Sequence, residues 1–370
     1  MRWIWQLPDW PQFTFDPTKF THWEREFHRN AGVIIGSLTT ASTDEVNELR
    51  VTLLSSEALD TSKIEGEFLD RDSIQSSIRK QLGLQTDGRR VGPKETGVAQ
   101  MMVDLVRTYQ DPLAQDQLFS WHQMIMNGRI DLETIGGYRI HADPMQIVSG
   151  RLDMPHVFYE APQSDRVEEE MSQYIDWFNR AVEAQMPTVI HAGIAHLYFE
   201  LIHPFEDGNG RIGRTIAEKS LAIGARQSLI TSLSSVIERD KKAYYQALER
   251  ANTSLDITEW LLYFCEKILE AQVHIQKLIA FIIDKARYFE QYRDQLNDRQ
   301  TKVALRLFQT GLAGFKGGLS AENYIRIAKT SRATTTRDLV EMVELGALRK
   351  EGKLRHTRYY LPVGVAENGG

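Results

Sequence analysis

Residues 188–214 read TVIHAGIAHLYFELIHPFEDGNGRIGR, an apolar helical run that breaks into a glycine-rich loop and opens a second helix. The run is apolar on most sides, through Val189, Ile190, Ile194, Leu197, Phe199, Leu201 and Ile202, and such a helix belongs at the centre of a fold. Pro204 pushes the residue before it out of the helical region, so the helix ends and the His203 imidazole stands at the mouth of the loop. Gly208-Asn209-Gly210 can then present consecutive backbone N–H groups as an anion-binding nest. A helix starting there points its positive end at the same spot. Arg211 and Arg214, three apart, lie on neighbouring turns of that helix and can both reach a polyphosphate.

Asp207 is an oxygen ligand of the kind Mg2+ prefers, in sites built from one or two carboxylates plus substrate phosphates. His203 has the character of a general base toward an incoming hydroxyl. A base, a metal ligand, a phosphate nest and two arginines within residues 203–214 describe a nucleotide-phosphate transfer site. A zinc hydrolase fits less well. His191 and His196 sit about 140° apart around a helix, and His196 and His203 lie about 10 Å apart, too far for one metal. His191 and His196 therefore read as structural.

Outward from this centre, turn-forming residues are unevenly spread. Residues 225–310 contain neither glycine nor proline, so the stretch reads as successive helices. Within it, Trp260, Leu261, Phe264, Ile268, Ile275, Leu278 and Ile282 repeat at three and four, the pattern of a helix lying on a core. Upstream, Ser42-Thr43-Asp44-Glu45 is a capping box, opening a helix predicted to run through Leu59. Residues 1–30, rich in Trp, Phe and Pro, are expected to pack as an irregular arm, and residues 83–93 to form a boundary. Only around 136–165 do glycine, proline and β-branched or aromatic residues mix as a hairpin requires. Glu168-Glu169-Glu170 reads as a solvated helix face.

The final segment differs in charge. The whole chain carries 44 Lys+Arg against 50 Asp+Glu, a net of -6. Residues 297–362 hold 13 Lys+Arg and 6 Asp+Glu, a net of +7, which leaves -13 for the remainder. Two short helices, 321–328 and 332–345, flank a Lys329-Thr330-Ser331 turn. A hairpin of 348–350 and 353–360 follows, turning at Glu351-Gly352. Helix, turn, helix and basic hairpin form the pattern of a winged helix-turn-helix. Arg332, Thr334, Thr335 and Arg337 begin the expected recognition helix, where base contacts would form, and Lys350, Lys353, Arg355 and Arg358 would meet phosphates. The same basic surface can instead dock a protein, including the acidic remainder of this chain.

Some classes fall away. Cys265 is the single cysteine, which excludes an internal disulfide and a cysteine-based zinc site. It lies in an apolar run and reads as a buried, inert thiol. No stretch approaches the roughly 18 apolar residues of a membrane span. Pro8, Asp9 and Pro11 come too early for a signal peptide. The expectation is a cytoplasmic protein of two or three domains.

The run from His203 to Arg214 resembles the motif of the Fic (filamentation induced by cAMP) domain family, H-P-F-x-D/E-G-N-G-R-x-x-R, and every specified position is matched. The resemblance covers roughly residues 95–290, and the aromatic arm is similar to that of larger bacterial members. It implies a mainly α fold, a Fic-type helical core with a β-hairpin flap, here followed by the winged helix-turn-helix. The corresponding divisions are 1–94 for the arm and inhibitory-helix region and 95–296 for the catalytic core and following helices. The winged helix takes 297–363 and a tail 364–370.

The resemblance also implies transfer of AMP from ATP, with Mg2+, to a serine, threonine or tyrosine hydroxyl of a target protein, by a chain that commonly forms a homodimer. Carried across, His203 deprotonates the target and Asp207 holds Mg2+. Gly208, Asn209, Gly210 and Arg211 bind phosphate, Arg214 grips the γ-phosphate, and Phe205 anchors the loop. Tyr244, Tyr245 and Asn252 fall where the family often contacts adenosine. His156, Val157, Phe158 and Tyr159 fall on the flap beside the nucleotide, where an exposed strand edge can pair with an extended target segment.

Thr61-Ser62-Lys63-Ile64-Glu65-Gly66 resembles the family's inhibitory motif, [S/T]-x-x-x-E-[G/N]. Thr61 and Glu65, four apart, share a helical face. In related proteins this glutamate pairs with the second motif arginine, here Arg214, and blocks γ-phosphate binding. The reading is an autoinhibited protein adenylyltransferase. The alternatives are a DNA-binding transcriptional regulator working through the terminal module, and the same site used to remove AMP from modified proteins.

Overall fold

The computed structural model describes residues 2–151, 154–228 and 231–362. The expected tail and residue 363 lie outside the described residues. The chain divides into two compact units, Met1–Val33 with Arg50–Ile275, and Ile34–Leu49 with Gln276–Gly370. Helices α1 (Thr21–Thr39) and α2 (Thr43–Ile64) supply residues to both. The structure is mainly helical, as the sequence implies.

The first unit continues through α3 (Arg71–Gln81), α4 (Pro93–Thr108) and α5 (Gln115–Ile125). The antiparallel strands β1 (Gln146–Arg151) and β2 (Met154–Glu160) follow, then α6 (Val167–Glu183), α7 (Thr188–Ile202) and α8 (Asn209–Ala225). Next come α9 (Leu233–Arg239), α10 (Lys241–Ala251) and α11 (Thr258–Gln291), whose last turns belong to the second unit. Every residue of α7 is buried, as its all-round apolar composition requires. It packs on α8 and α6, and α4 and α5 also pack on α8. The loop 83–92 joins α3 to α4, which pack on each other inside this unit.

Local chemistry explains most boundaries, and several depart from expectation. The capping box at Ser42 forms, with the Ser42 N–H donating to Glu45 Oε2 at 2.6 Å and the Glu45 N–H donating to Ser42 Oγ at 3.2 Å. The helix it opens does not stop at Leu59. It reaches Ile64 because no breaker intervenes before Gly66, which holds a φ of +82°. The arm is irregular only as far as Phe20, with 3-10 turns at Ile4–Gln6 and Pro17–Lys19. Residues from Thr21 are helical, since the last proline of the arm is Pro17. The hairpin occupies only 146–160 of the wider region. Glu168 and Glu169 are solvated, but Glu170 is buried, bound by Trp10 Nε1 at 2.8 Å and Arg166 Nη2 at 2.5 Å.

The arm ties distant parts of the unit together. The Ile4 N–H donates to Asn252 O and the Thr14 N–H to Leu255 O, both at 2.8 Å, and the Ile257 N–H donates to Thr14 O at 2.9 Å. Trp5 Nε1 donates to Glu160 O at 2.7 Å, at the end of β2.

The second unit contains α12 (Asp298–Phe308), α13 (Ala321–Ala328), α14 (Arg332–Glu344), β3 (Arg349–Glu351) and β4 (Arg358–Tyr360). Its core gathers Tyr288, Val303, Leu307, Tyr324, Leu339 and Met342. Ser331 caps α14, its Oγ accepting from the Thr334 N–H at 3.2 Å. The hairpin turn is longer than a two-residue turn at 351–352. Glu351 pairs with Arg358, and a 3-10 turn at Leu354–His356 fills the connection. Gly352 begins the turn, and Leu354 also takes a positive φ, which carries the chain further before it returns. Among the described residues, no helix is long and apolar enough to cross a membrane.

Candidate active site

His203 ends α7 in the left-handed region, with φ 51° and ψ 59°, rather than the extended one that Pro204 favours. The loop that follows is held from inside. The Phe205 N–H donates to Asn209 Oδ1 at 2.9 Å, and Asn209 Nδ2 donates to Phe205 O at 2.8 Å, so one side-chain amide closes the loop on itself. The buried Phe205 ring stacks on His122 with centroids 4.2 Å apart. A second clamp is Arg139, buried at 1% exposure. Its Nε donates to His203 O at 2.8 Å, its Nη1 to Ser164 Oγ at 2.8 Å, and its Nη2 to Pro162 O and Ile202 O. Its own N–H donates to Pro204 O at 2.9 Å.

The loop floors a cavity of about 720 Å³. The structure brings His203, Asp207, Gly208, Asn209, Gly210, Glu65, Phe158, Tyr159, Tyr244, Tyr245 and Asn252 together around it. The His203 ring faces Glu200 O through Nδ1 at 3.2 Å, which assigns the proton to Nδ1 and the lone pair to Nε2. Burial pushes the imidazole down to about 4, so it is neutral near pH 7. That is the state a general base needs.

Both arginines of the motif are paired with carboxylates of the chain itself. Arg214, fully buried, donates through Nη2 to Glu65 Oε1 at 2.7 Å and through Nε to Thr61 Oγ1 at 2.9 Å. A Cβ on Gly210 would meet Glu65 Oε1 at 2.1 Å, so the glycine is what lets the carboxylate lie against the nest. Arg211 is held in the same way, by Glu67, with Nη1 to Oε2 at 2.9 Å. Glu67 in turn binds Lys94 Nζ at 2.7 Å. Gly66 separates the two glutamates, and neither it nor Thr61 lines the cavity.

Asp207 is also saturated. Its Oδ2 accepts from Arg129 Nη1 at 2.6 Å, and its Oδ1 from Arg211 Nη2 at 3.2 Å and the Gly208 N–H at 2.5 Å. Burial alone would raise this carboxyl, but Arg211 and Arg129 outweigh it and hold it below the usual range. Among the described residues no group of three or more His, Cys, Asp or Glu gathers for a metal. One carboxylate beside a phosphate nest does suit a Mg2+ held mainly by phosphate oxygens. Arg129 is the residue that would have to yield.

The remaining expected contacts divide. Tyr244 is buried, its hydroxyl bonded to His196 Nε2 at 2.8 Å, whereas Tyr245 is half open, its hydroxyl donating to Ile64 O at 3.3 Å. Asn252 Nδ2 donates to Phe158 O at 2.7 Å and so ties α10 to the hairpin. Tyr159 donates to Leu201 O at 2.6 Å. Val157 is half-buried and does not line the cavity. The side chain of His156 lies outside the described residues, as does that of Arg355. In the second unit Arg332 and Arg337 are exposed and Thr334 is half-buried. Thr335 is buried and faces the interior, so it offers no base contact.

Glu67, Lys94, Arg129, Arg139 and Glu200 carry no local sequence pattern. Each is an ionisable residue whose partner lies elsewhere in the chain or in its own helix turn, and only the fold reveals the pairing.

Residues 112–221 match the Fic/DOC family, and residues 3–84 match a domain of unknown function (DUF4172). Protein adenylyltransferase fic-1 of Caenorhabditis elegans is 23% identical over 179 residues, 48% of this chain and 30% of that protein. Protein adenylyltransferase Fic of Nematostella vectensis is 29% identical over 119 residues, 30% of this chain and 25% of that protein. The chain therefore spans less than a third of the length of these relatives. A Fic family protein from Desulfovibrio desulfuricans G20 superposes with a TM-score of 0.50 at 21% identity, over 97% of this chain and 99% of that one, a likeness of fold. With the complete motif running from the loop after α7 into the first turns of α8, within the matched segment, the chain carries a Fic/DOC domain over residues 112–221.

Proposed function

We propose that this protein is an autoinhibited protein adenylyltransferase, moving AMP from ATP to a serine, threonine or tyrosine hydroxyl of a target protein or of itself. The observation that carries the reading is the Glu65–Arg214 pair at 2.7 Å, set in a cavity whose base, His203, is neutral. The relatives named protein adenylyltransferase support the direction of the chemistry.

His203 Nε2 takes the proton from the target hydroxyl as its oxygen attacks the α-phosphorus, and pyrophosphate leaves. The N–H groups of Asn209 and Gly210, at the start of α8, face the developing phosphate charge, while that of Gly208 donates to Asp207 and joins them only if Asp207 turns away. Arg211 and Arg214 complete the anion site once Glu67 and Glu65 withdraw. Asp207 would hold Mg2+, which when bound supplies positive charge beside the phosphates. Phe158, Tyr159, Tyr244, Tyr245 and Asn252 shape the apolar side of the cavity for the adenosine. The β1–β2 hairpin is the flap on which an extended target segment would lie. In this reading the arm and α2 supply the inhibitor, the Fic/DOC domain the chemistry, and the terminal basic segment a winged helix-turn-helix.

The test is self-labelling with α-labelled ATP. Glu65→Gly is expected to raise labelling at least tenfold and His203→Ala to abolish it. Equal labelling of wild type and Glu65→Gly would remove autoinhibition. Incubating AMP-modified protein with the same pair separates AMP addition from AMP removal. A second reading, nucleic-acid contact by the terminal module, rests on the exposed Arg332 and Arg337 at the start of α14.

A further inference from the structure

Helix α7 carries a carboxyl group into the core that no motif accounts for. Glu200 is 8% exposed and lines the cavity. Its Oε2 lies 3.9 Å from His203 Nδ1, and its backbone oxygen accepts from the same nitrogen. Its Oε1 is buried without a hydrogen-bond partner, and so are His196 Nδ1 and Arg214 Nη1. Unpaired buried polar atoms are costly, so three around one site call for an explanation.

Two glycines of α8 frame the group. A Cβ on Gly213 would meet Glu200 Oε1 at 2.5 Å and His196 Nδ1 at 3.1 Å. A Cβ on Gly210 would meet Glu65 Oε1 at 2.1 Å and Arg214 Nη1 at 3.0 Å. Glycines three apart on one helix face thus leave room for two carboxyl groups near one guanidinium. The charged and titratable groups that face Glu200 are Arg214 of α8, Glu65 after α2, Tyr174 of α6, Tyr244 and Tyr245 of α10, and His196 and His203 of α7 itself. Burial pushes Glu200 up to about 8; Arg214 pulls it down and Glu65 pushes it back up. Buried, and with Arg214 already paired to Glu65, Glu200 is a neutral acid at pH 7, unable to offer charge to its neighbours.

Resting on the adenylyl-transfer reading above, we propose that Glu200 is a positioning residue that couples the anion site to the base. When Glu65 leaves Arg214, Glu200 releases its proton to the solvent-connected cavity. As a carboxylate it balances Arg214 on one side and supports the imidazolium of His203 on the other. One displacement then both opens the phosphate site and strengthens the base.

The sign of the effect on His203 is diagnostic. Glu65 favours the imidazolium, so its removal alone makes His203 harder to protonate. A new carboxylate at Glu200, within 4 Å of the ring, does the reverse and is the nearer of the two charges. The experiment is an NMR pH titration of labelled histidine in the full chain, for wild type, Glu65→Gly, Glu200→Gln and the double variant. The His203 midpoint is expected to rise by about one pH unit in Glu65→Gly and to fall below wild type when Glu200→Gln is added. An unchanged or lower midpoint in Glu65→Gly overturns the proposal, and so does a rise that survives Glu200→Gln. The first comparison alters only a partly exposed side chain, so it stands even if Glu200→Gln folds poorly. Because no ATP is needed, losing this coupling and losing adenylyl transfer are separate results.

Discussion

Arg139 shows what a single buried cation does for this site. Its guanidinium is spent on the carbonyls of His203, Pro162 and Ile202 and on Ser164 Oγ, with no carboxylate partner among the bonds it makes. Burial lowers it to about 10, still charged at neutral pH. A planar fork can reach several carbonyls at once; an ammonium on a flexible stem cannot. Arg139→Lys is therefore expected to leave buried acceptors unpaired and to destabilise the fold by about 2 kcal/mol, read from the urea midpoint. A midpoint unchanged from wild type would show that the carbonyls find other donors. The left-handed turn at His203 depends on the same clamp, since the strain of that conformation is held by the bonds to His203 O and Pro204 O.

Among the elements, α4 and α5 cross where Gly97 allows them to. A Cβ there would sit 1.7 Å from Met124 O, a backbone atom that cannot rotate away. Gly97→Ala is expected to cost about 3 kcal/mol, seen as a lower thermal midpoint, with loss of the fold as the stronger outcome. Elements were legible in the sequence where one local force dominates. Helix α7 runs from Thr188 to Ile202 as read, because it is apolar all round and Pro204 stops it. The helix expected over 321–328 forms between the Ser320 cap and a left-handed Lys329. Where two forces compete, the outcome is not legible. The aromatic and proline content of residues 1–20 hides the helix that starts at Thr21, and the positive φ at Leu354, which a leucine rarely takes, lengthens the turn beyond Gly352. At the site, the residues of 203–214 were legible because their spacing is local, and Glu65 because residues 61–66 resemble an inhibitory motif, although 149 residues separate it from Arg214. The second carboxylate, Glu67 on Arg211, and the cation on Asp207, Arg129, were not, because 144 and 78 residues separate the partners.

At the scale of the whole molecule, charge is divided: +7 over residues 297–362 against -13 elsewhere. If the basic surface meets nucleic acid, the full chain will bind random duplex DNA with an affinity that falls steeply as salt rises. Arg332→Ala with Arg337→Ala will then lower the slope of log affinity against log salt by about two. No binding at low salt would assign the surface to protein contacts. The way the arm is stitched has a different consequence, for biosynthesis. Residues 4 and 14 find their backbone partners at 252–257, and the residues around the cavity extend to Asn252. At about 5–20 residues per second, the aromatic arm waits roughly 10–50 s on the ribosome for those partners. During that time Trp3, Ile4 and Trp5 are bare ligands for any chaperone that binds apolar segments. The last residue around the cavity and the partners of the arm are therefore made together, so a nascent chain holds neither a complete cavity nor an enclosed arm before that point.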